Sequence, residues 1–269
     1  MDHLDLNRRA WNRHSNSGSP WCVPVDADTV RRARAGDWSV VLTPVKSVPT
    51  TWFGDLRGRD VLCLASGGGQ QAPILAAAGA RVVSFDLSDE QLEKDRSVAE
   101  RDGLPVRCER GDMADLSRFA DESFDLVFHP CSNAFVPDVR VVWRECHRVL
   151  RPGGELLAGF VNPDVFLFDH DEADASRTLV VKYGLPYADV TNLDRAAIER
   201  KVERGQPLEY GHTFEDQFAG QIDAGFDLVG FYEDRWFDDT WFISCFTAVA
   251  FATRARKSPT PARGIHVRS

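Results

Sequence analysis

From Asp60 onward, short apolar runs alternate with longer amphipathic stretches. Val61-Leu62-Cys63-Leu64-Ala65 is a continuous apolar run of the kind that forms a strand buried on both faces. It meets the turn Ser66-Gly67-Gly68-Gly69, after which Gln70 to Ala78 reads as a helix closed by Gly79. Pro73 falls in the first turn of that helix, where a missing N–H costs little. Arg81 to Phe85 predicts a second strand ending at Asp86, and Ser88-x-x-Gln91 is a capping box that opens a helix to Arg101. Val106 to Cys108 predicts a third strand ending near Gly111-Asp112, and Phe124 to Phe128 a fourth. Val139, Val142, Trp143, Cys146 and Leu150 recur at helical spacing, and Arg151-Pro152-Gly153-Gly154 stops that helix before a fifth strand, Glu155 to Phe160. This alternation predicts an α/β fold in three layers, a parallel sheet covered by helices on both faces.

The flanks break the rhythm. Residues 161–212 hold an acidic cluster (Asp169, Asp171, Glu172, Asp174), a strand-like stretch from Thr178 to Tyr183 and a polar helix from Leu193 to Glu203. A helix from Glu215 to Ala224, a strand from Phe226 to Tyr232 and a long strand from Phe242 to Thr253 follow. Residues 1–57 begin amphipathically at Leu4, Leu6 and Trp11 and continue through Trp21, Trp38 and Trp52. That segment is too short for a core of its own. The expected organisation is an N-terminal extension or lid over 1–57, one α/β domain over 58–253 with an insert at 161–212, and a flexible basic tail over 254–269.

Composition narrows the partners. The chain has 269 residues, 43% of them hydrophobic, enough for one sizeable core. Its net charge of −9 is repelled by phosphate backbones, so nucleic acid is a poor default partner. The six cysteines form no C-x-x-C pair and have no histidines at zinc spacing, so no metal site is expected and the thiols read as buried and reduced. With no apolar signal core in Met1 to Trp11 and no run of about 18 apolar residues, a soluble cytoplasmic protein without a membrane partner is expected. The oligomeric state is not legible.

Ligands of open α/β sheets bind beyond the carboxyl ends of the strands. Gly67, Gly68 and Gly69 would let a ligand approach the backbone, and the helix behind them offers N–H groups. Asp86, followed by Leu87, can accept both hydroxyls of a ribose; Asp112 can accept from an adenine amino group, and Met113 can lie on the ring. Alone, a glycine turn or an acid at a helix start is a common structural feature; in order on consecutive strand ends they point to a nucleoside cofactor. Gly67-x-Gly69-x-x-Ala72 also satisfies the dinucleotide pattern, with Asp86 about 20 residues on, so spacing does not decide between nicotinamide and other nucleosides.

Ser123-Phe124-Asp125-Leu126-Val127-Phe128 and Arg148-Val149-Leu150-Arg151-Pro152-Gly153-Gly154 resemble the fourth- and fifth-strand signatures of class I S-adenosylmethionine-dependent methyltransferases, closest to the ubiquinone/menaquinone-biosynthesis-like group. The resemblance covers roughly residues 58–160. It implies a Rossmann-like seven-stranded sheet in the order 3-2-1-4-5-7-6 with the last strand antiparallel. It also implies S-adenosylmethionine as cofactor, held by Ala65, Gly67, Gly68, Gly69, Asp86, Leu87, Asp112, Met113 and His129. One departure stands out. Where the family has an acid and a first glycine in D-x-G-x-G, this chain has Cys63 and Ala65, so another group must receive the methionine ammonium: the Ala65 carbonyl or a side chain of the N-terminal extension.

Methyl transfer needs no universal catalytic residue, because the donor is already activated and the protein chiefly positions the nucleophile. His129, just past the fourth strand, is the candidate general base; its bland reading is a satisfied histidine that shapes the pocket. Asn133, Tyr183, Tyr210, His212 and Trp11 are candidates for the acceptor side, against the reading that they are core or satisfied polar contacts. The Asp169–Asp174 cluster reads as a solvated loop before it reads as a cation site. The expected activity is methylation of a small-molecule acceptor. The alternatives are an RNA or protein methyltransferase, for which the basic Arg254 to Lys257 is the one argument, and an inactive cofactor-binding regulator.

Overall fold

Successive residues of a strand face opposite sides of a sheet. In the first strand, β1 (Asp60–Leu64), Val61 and Cys63 join one buried cluster and Leu62 and Leu64 join another. These two clusters are the two sides of the sheet, as a strand apolar throughout requires. The structure is a computed structural model that describes residues 3–236 and 241–259.

The chain begins with α1 (His3–Asn16) and α2 (Ala27–Arg34). After β1 come α3 (Gln71–Ala77), β2 (Arg81–Asp86), α4 (Asp89–Asp102), β3 (Val106–Arg110), β4 (Phe124–His129), α5 (Val139–Val149) and β5 (Leu150–Val161). The insert carries α6 (His170–Ser176), α7 (Asp189–Asn192) and α8 (Arg195–Glu203). It also carries the short antiparallel pair β6 (Tyr187–Ala188) and β7 (Tyr210–Gly211). Then follow α9 (Gly220–Asp223), β8 (Phe226–Asp234) and β9 (Ala250–Lys257). The main sheet has seven strands in the order β3-β2-β1-β4-β5-β9-β8, with β9 antiparallel to both neighbours. Counted within that sheet, the order is the expected 3-2-1-4-5-7-6.

One layer contains α2, α3 and Val98 of α4, with Val40, Leu42, Trp52 and Phe53. The N-terminal segment is therefore built into the domain core. The other layer contains the apolar face of α5, Val139, Val142, Trp143, Cys146 and Val149, with Leu116 and Phe119 from the β3–β4 connection. Ser88 caps α4, its hydroxyl accepting the Gln91 N–H at 3.1 Å, and Gly103 closes that helix at φ 60°.

Four expectations are corrected. The Arg151-Pro152-Gly153-Gly154 segment is a bulged opening of β5, since Phe124 pairs with Leu150 before the register shifts to Leu126 with Glu155. Thr178 to Tyr183 forms only the single bridge Phe168–Val181. The helix expected over Glu215 to Ala224 opens as a π turn, Glu215–Ala219, before α9. The long strand expected from Phe242 divides into a 3₁₀ turn, Phe242–Cys245, and β9, which runs on to Lys257.

That last correction moves residues 254–257 from the tail into the sheet. The reason is charge pairing. Arg254 and Arg256 both donate to the buried Glu155 carboxylate, at 2.8 and 2.9 Å, and Lys257 donates to the carbonyls of His147 and Leu150. The rest of the expected tail, 260–269, lies outside the described residues.

Removing Glu155 leaves two guanidiniums side by side on β9 without their counter-ion. Glu155→Ala is expected to lower unfolding free energy by about 1–3 kcal/mol, read as a fall in the urea midpoint at unchanged slope.

Candidate functional site

Each strand end contributes to one surface. Beyond β1 the backbone turns through Ala65, at φ 49°, and its N–H donates to the Phe85 carbonyl at 2.7 Å. The three glycine amides of the turn are taken up inside the protein. Gly67 N–H donates to Asp86 Oδ2 at 3.0 Å, Gly68 N–H to the Gln91 carbonyl at 3.1 Å, and Gly69 N–H to Asp95 Oδ1 at 2.7 Å. Asp86 Oδ1 also accepts the Ser88 N–H at 2.8 Å. Burial pushes both carboxyls up, Asp95 to about 7, against the hydrogen bonds that favour their ionised forms.

The glycines are needed for a reason other than the one read from the sequence. A Cβ on Gly67 would stand 2.8 Å from Gln91 Cβ; on Gly68, 2.7 Å from the Trp21 carbonyl; on Gly69, 2.8 Å from Pro24. The close approach is made by α4 and by the N-terminal segment. That segment is pinned to the turn: Val25 N–H donates to Gly69 O at 2.8 Å, and Gln70 Nε2 donates to Pro20 O and Val23 O at 2.8 and 3.0 Å. Lys94 holds Ser15 O at 2.7 Å and also the Cys22 carbonyl, and Asn12 Oδ1 accepts the Ser88 hydroxyl at 2.6 Å.

This hydrogen bonding sorts ligands. A pyrophosphate needs free N–H donors at the turn, and Gly67, Gly68 and Gly69 have none to give. What the turn presents is acceptors. The Ser66 hydroxyl and the Gln91 side-chain carbonyl are buried beside the thiols of Cys63 and Cys22, and Asp112 follows β3 with one oxygen on the Ala114 N–H at 3.0 Å. Acceptors of this kind fit a cationic ligand rich in hydroxyl and amino donors, which describes S-adenosylmethionine. Leu87 lies beside Asp86, and Met113 packs against the cluster that contains Leu64 and Phe85.

Beyond β4 the site changes character. His129 is fully buried; its Nδ1 lies 2.9 Å from the Leu64 carbonyl and its Nε2 contacts the Asn133 side chain. Burial lowers its pKa, so the ring is held neutral. Asn133 continues to Gln217 at 3.0 Å, and its carbonyl bonds His212 Nε2 at 3.0 Å. Trp11 packs edge-on to Phe135 with centroids 5.1 Å apart. The structure thus brings His129, Asn133, His212 and Trp11 into one neighbourhood. Tyr183 instead packs on Tyr187 at 5.1 Å, and Tyr210 is buried beside His3. In the acidic cluster, Asp169 caps α6 through the Glu172 N–H, Lys182 pairs with Asp169 and Glu172, and Asp174 accepts the Phe242 N–H. Among the described residues no group of His, Cys, Asp and Glu is arranged to hold a metal ion, and no helix is long and apolar enough to cross a membrane.

Residues 62–158 match the family described as a methyltransferase domain. Over 229 residues the chain is 49% identical to the uncharacterized methyltransferase YbaJ of Bacillus subtilis, covering 85% of this chain and 89% of that protein. The chain belongs to the S-adenosylmethionine-dependent methyltransferases. It is also 31% identical to a ubiquinone biosynthesis O-methyltransferase of Pseudomonas syringae, over 47% of this chain and 57% of that one. Among solved structures it is similar to a Burkholderia thailandensis 1,6-didemethyltoxoflavin-N1-methyltransferase, with TM-score 0.57 at 17% identity over 96% of this chain and 89% of that chain. An S-adenosylmethionine-dependent methyltransferase from Mesorhizobium loti gives TM-score 0.57 at 19% identity, over 77% and 94% of the two chains. At such identities these likenesses bear on the fold.

Three residues that hold the glycine turn and its surroundings escaped the sequence reading. Gln91 was legible only as half of a capping box, and Asn12 carries no local signal. Asp95 did carry one: with Leu92, Val98 and Ala99 it falls on the buried stripe of α4, where a carboxylate is out of place unless something pairs it. Ala65 takes the left-handed conformation that the family fills with glycine, and so keeps the turn's shape at some strain. Ala65→Gly is expected to raise stability by about 0.5–1 kcal/mol, measured by urea unfolding, with the turn's hydrogen bonds unchanged.

Proposed function

We propose that this methyltransferase modifies a small-molecule acceptor held beneath its N-terminal segment. The observation that carries this reading is the roof over the glycine turn. Trp21 and Pro24 lie against Gly68 and Gly69, and Trp21 packs on Trp236 with ring centroids 5.3 Å apart. A covered turn suits an acceptor small enough to be enclosed, and enclosure excludes water from the displacement. Two further observations favour it over an RNA substrate: the chain is acidic, and Arg254 and Arg256 are committed to Glu155. The Burkholderia thailandensis neighbour, whose name gives 1,6-didemethyltoxoflavin as its acceptor, supplies an instance of the same class.

When bound, S-adenosylmethionine supplies an activated sulfonium methyl. The residues assigned to it are Asp86 for the ribose hydroxyls, Leu87, Asp112 and Met113 for the adenine, and Ala65 with the Gly67–Gly69 turn for the amino-acid end. The intact shape of the turn despite Cys63 and Ala65 favours a working enzyme over an inactive regulator. On the acceptor side Asn133, His212 and Trp11 line the approach. His129 has a different part: its neutral ring donates one hydrogen bond and, packed between the Leu64 carbonyl and the Asn133 side chain, it fixes Asn133 against the end of β1. The ubiquinone-biosynthesis-like subgroup rests on the motifs of β4 and β5 and on partial-length similarity.

Asp86→Asn puts an N–H where an acceptor is needed. It is expected to weaken binding of S-adenosylhomocysteine by about 1–3 kcal/mol, measured by titration calorimetry; unchanged affinity would move the ribose elsewhere. The acceptor class is tested by incubating the enzyme with isotopically labelled S-adenosylmethionine and separate metabolite, RNA and protein fractions. Label is expected in the metabolite fraction, and label confined to RNA or protein would overturn the reading.

A further inference from the structure

The acid missing from β1 leaves a question about what holds the glycine turn. Cys63 is fully buried, and its thiol is pushed well above neutral pH by burial and by the Asp95 carboxylate near it. It therefore supplies neither a charge nor a strong acceptor. Asp95 enters from the opposite side, on the inner face of α4, and is 0% exposed. One of its oxygens takes the Gly69 N–H at 2.7 Å and the other takes the Ser84 hydroxyl at 2.5 Å. Ser84 is the register partner of Cys63 across β1 and β2. The carboxylate thus reaches, from the helix, the neighbourhood that an acid at position 63 would occupy.

We infer that Asp95 is a positioning residue for cofactor binding: its ionised carboxylate, anchored by Ser84, fixes Gly69 and so sets the shape of the turn that receives S-adenosylmethionine. This rests on the proposed placement of the cofactor at the Gly67–Gly69 turn. Both contacts are donors pointing at carboxylate oxygens, an arrangement that favours the charged form. Protonation puts a hydroxyl on one of those oxygens and weakens the contact with an N–H or O–H already aimed there. Gly69 also accepts the Val25 N–H through its carbonyl, so loosening it loosens the N-terminal segment as well.

The sign follows from burial. An acid whose folded pKa is raised costs stability as pH climbs from its unfolded value to its folded one, so Asp95 is kept ionised against the stability of the fold. The groups facing it are Asp86 from β2, whose charge opposes ionisation, and Arg96 on α4, whose charge favours it. Cys63 of β1 and Cys108 of β3 also lie near, both neutral because burial raises their thiols. With Asp95 at about 7, the turn is best formed above neutral pH and loosens as pH falls through that value.

Calorimetric titration of S-adenosylhomocysteine into the full chain between about pH 6 and 8.5 tests the assignment. Wild type is expected to bind more tightly as pH rises, with a midpoint near that of Asp95. Asp95→Asn keeps the shape but not the charge, and should lose about tenfold in affinity at the high-pH end while its profile flattens. Ser84→Ala removes one stabilising donor from the carboxylate and should shift the midpoint upward without flattening it, a change that a purely packing role would not produce. The Gly69 amide proton of cofactor-free, ¹⁵N-labelled wild type should move upfield on acidification with the same midpoint, a readout that survives if a variant fails to fold. An Asp95→Asn enzyme with wild-type affinity and profile, or a Gly69 amide indifferent to pH, would overturn the role. Unchanged binding in Asp86→Asn at every pH, with the wild-type Asp95 profile absent, would instead count against the cofactor placement itself.

Discussion

The interaction on which the site depends is the capture of three successive amides at the end of β1. Gly67, Gly68 and Gly69 donate to Asp86, the Gln91 carbonyl and Asp95. Buried amides must find partners, and here the partners come from β2 and α4. This one choice has three consequences. It ties the helix after β2 to the turn after β1, so the two strand ends move as one body. It leaves none of the three glycine amides free for a phosphate, which separates this turn from the dinucleotide pattern its glycine spacing also satisfies. And it makes the glycines a packing requirement, because α4 and the segment from Trp21 to Pro24 close on the turn from two sides.

What the sequence showed and what it hid divide along physical lines. The strand–helix alternation was legible because each apolar run from β1 to β5 is bounded by strong punctuation, such as the Ser88 cap and the Gly79 stop. Asp86 and Asp112 were legible as strand-end acids because their position follows from the topology alone. The partners of the glycine turn were not. Whether an amide faces a ligand or a neighbouring helix depends on how closely α4 lies to β1, and no local pattern encodes that distance. The last strand was misplaced at both ends for a related reason. The apolar Phe242 to Thr253 looked continuous, and Arg254 to Lys257 looked like a solvated tail, until Glu155 on the neighbouring strand gave those cations a place. Long-range pairing overrode local polarity.

The N-terminal segment shows the same effect. Read alone it is a Trp- and Pro-rich extension, yet Val30, Val40, Leu42 and Phe53 are core residues. Gly159 in β5 lies so close to the Leu42 backbone that a Cβ there would sit 2.0 Å from the Leu42 carbonyl. The segment over the glycine turn is therefore continuous with the hydrophobic core and is anchored at Gly69, at Lys94 and at β5. Its position relative to the turn is set by packing density, which interiors hold to sub-ångström tolerance.

The proposed acceptor and cofactor sides meet at a single peptide. Leu64 contributes its carbonyl to His129, and the next N–H, on Ala65, goes to Phe85. From His129 the buried chain runs through Asn133 to Gln217, then by way of Gln221 to Thr253 on β9. Every link is a hydrogen bond away from water, where satisfied polar networks are stiff and costly to break. An in-line displacement depends on holding nucleophile and methyl in near-contact geometry, and an error of about 1 Å can cost about 10²-fold in rate. A histidine serving as a base would have to give up one of its two partners and move. Held between Leu64 and Asn133, it keeps the end of β4, on the proposed acceptor side, in register with the end of β1, where the proposal places the methyl donor.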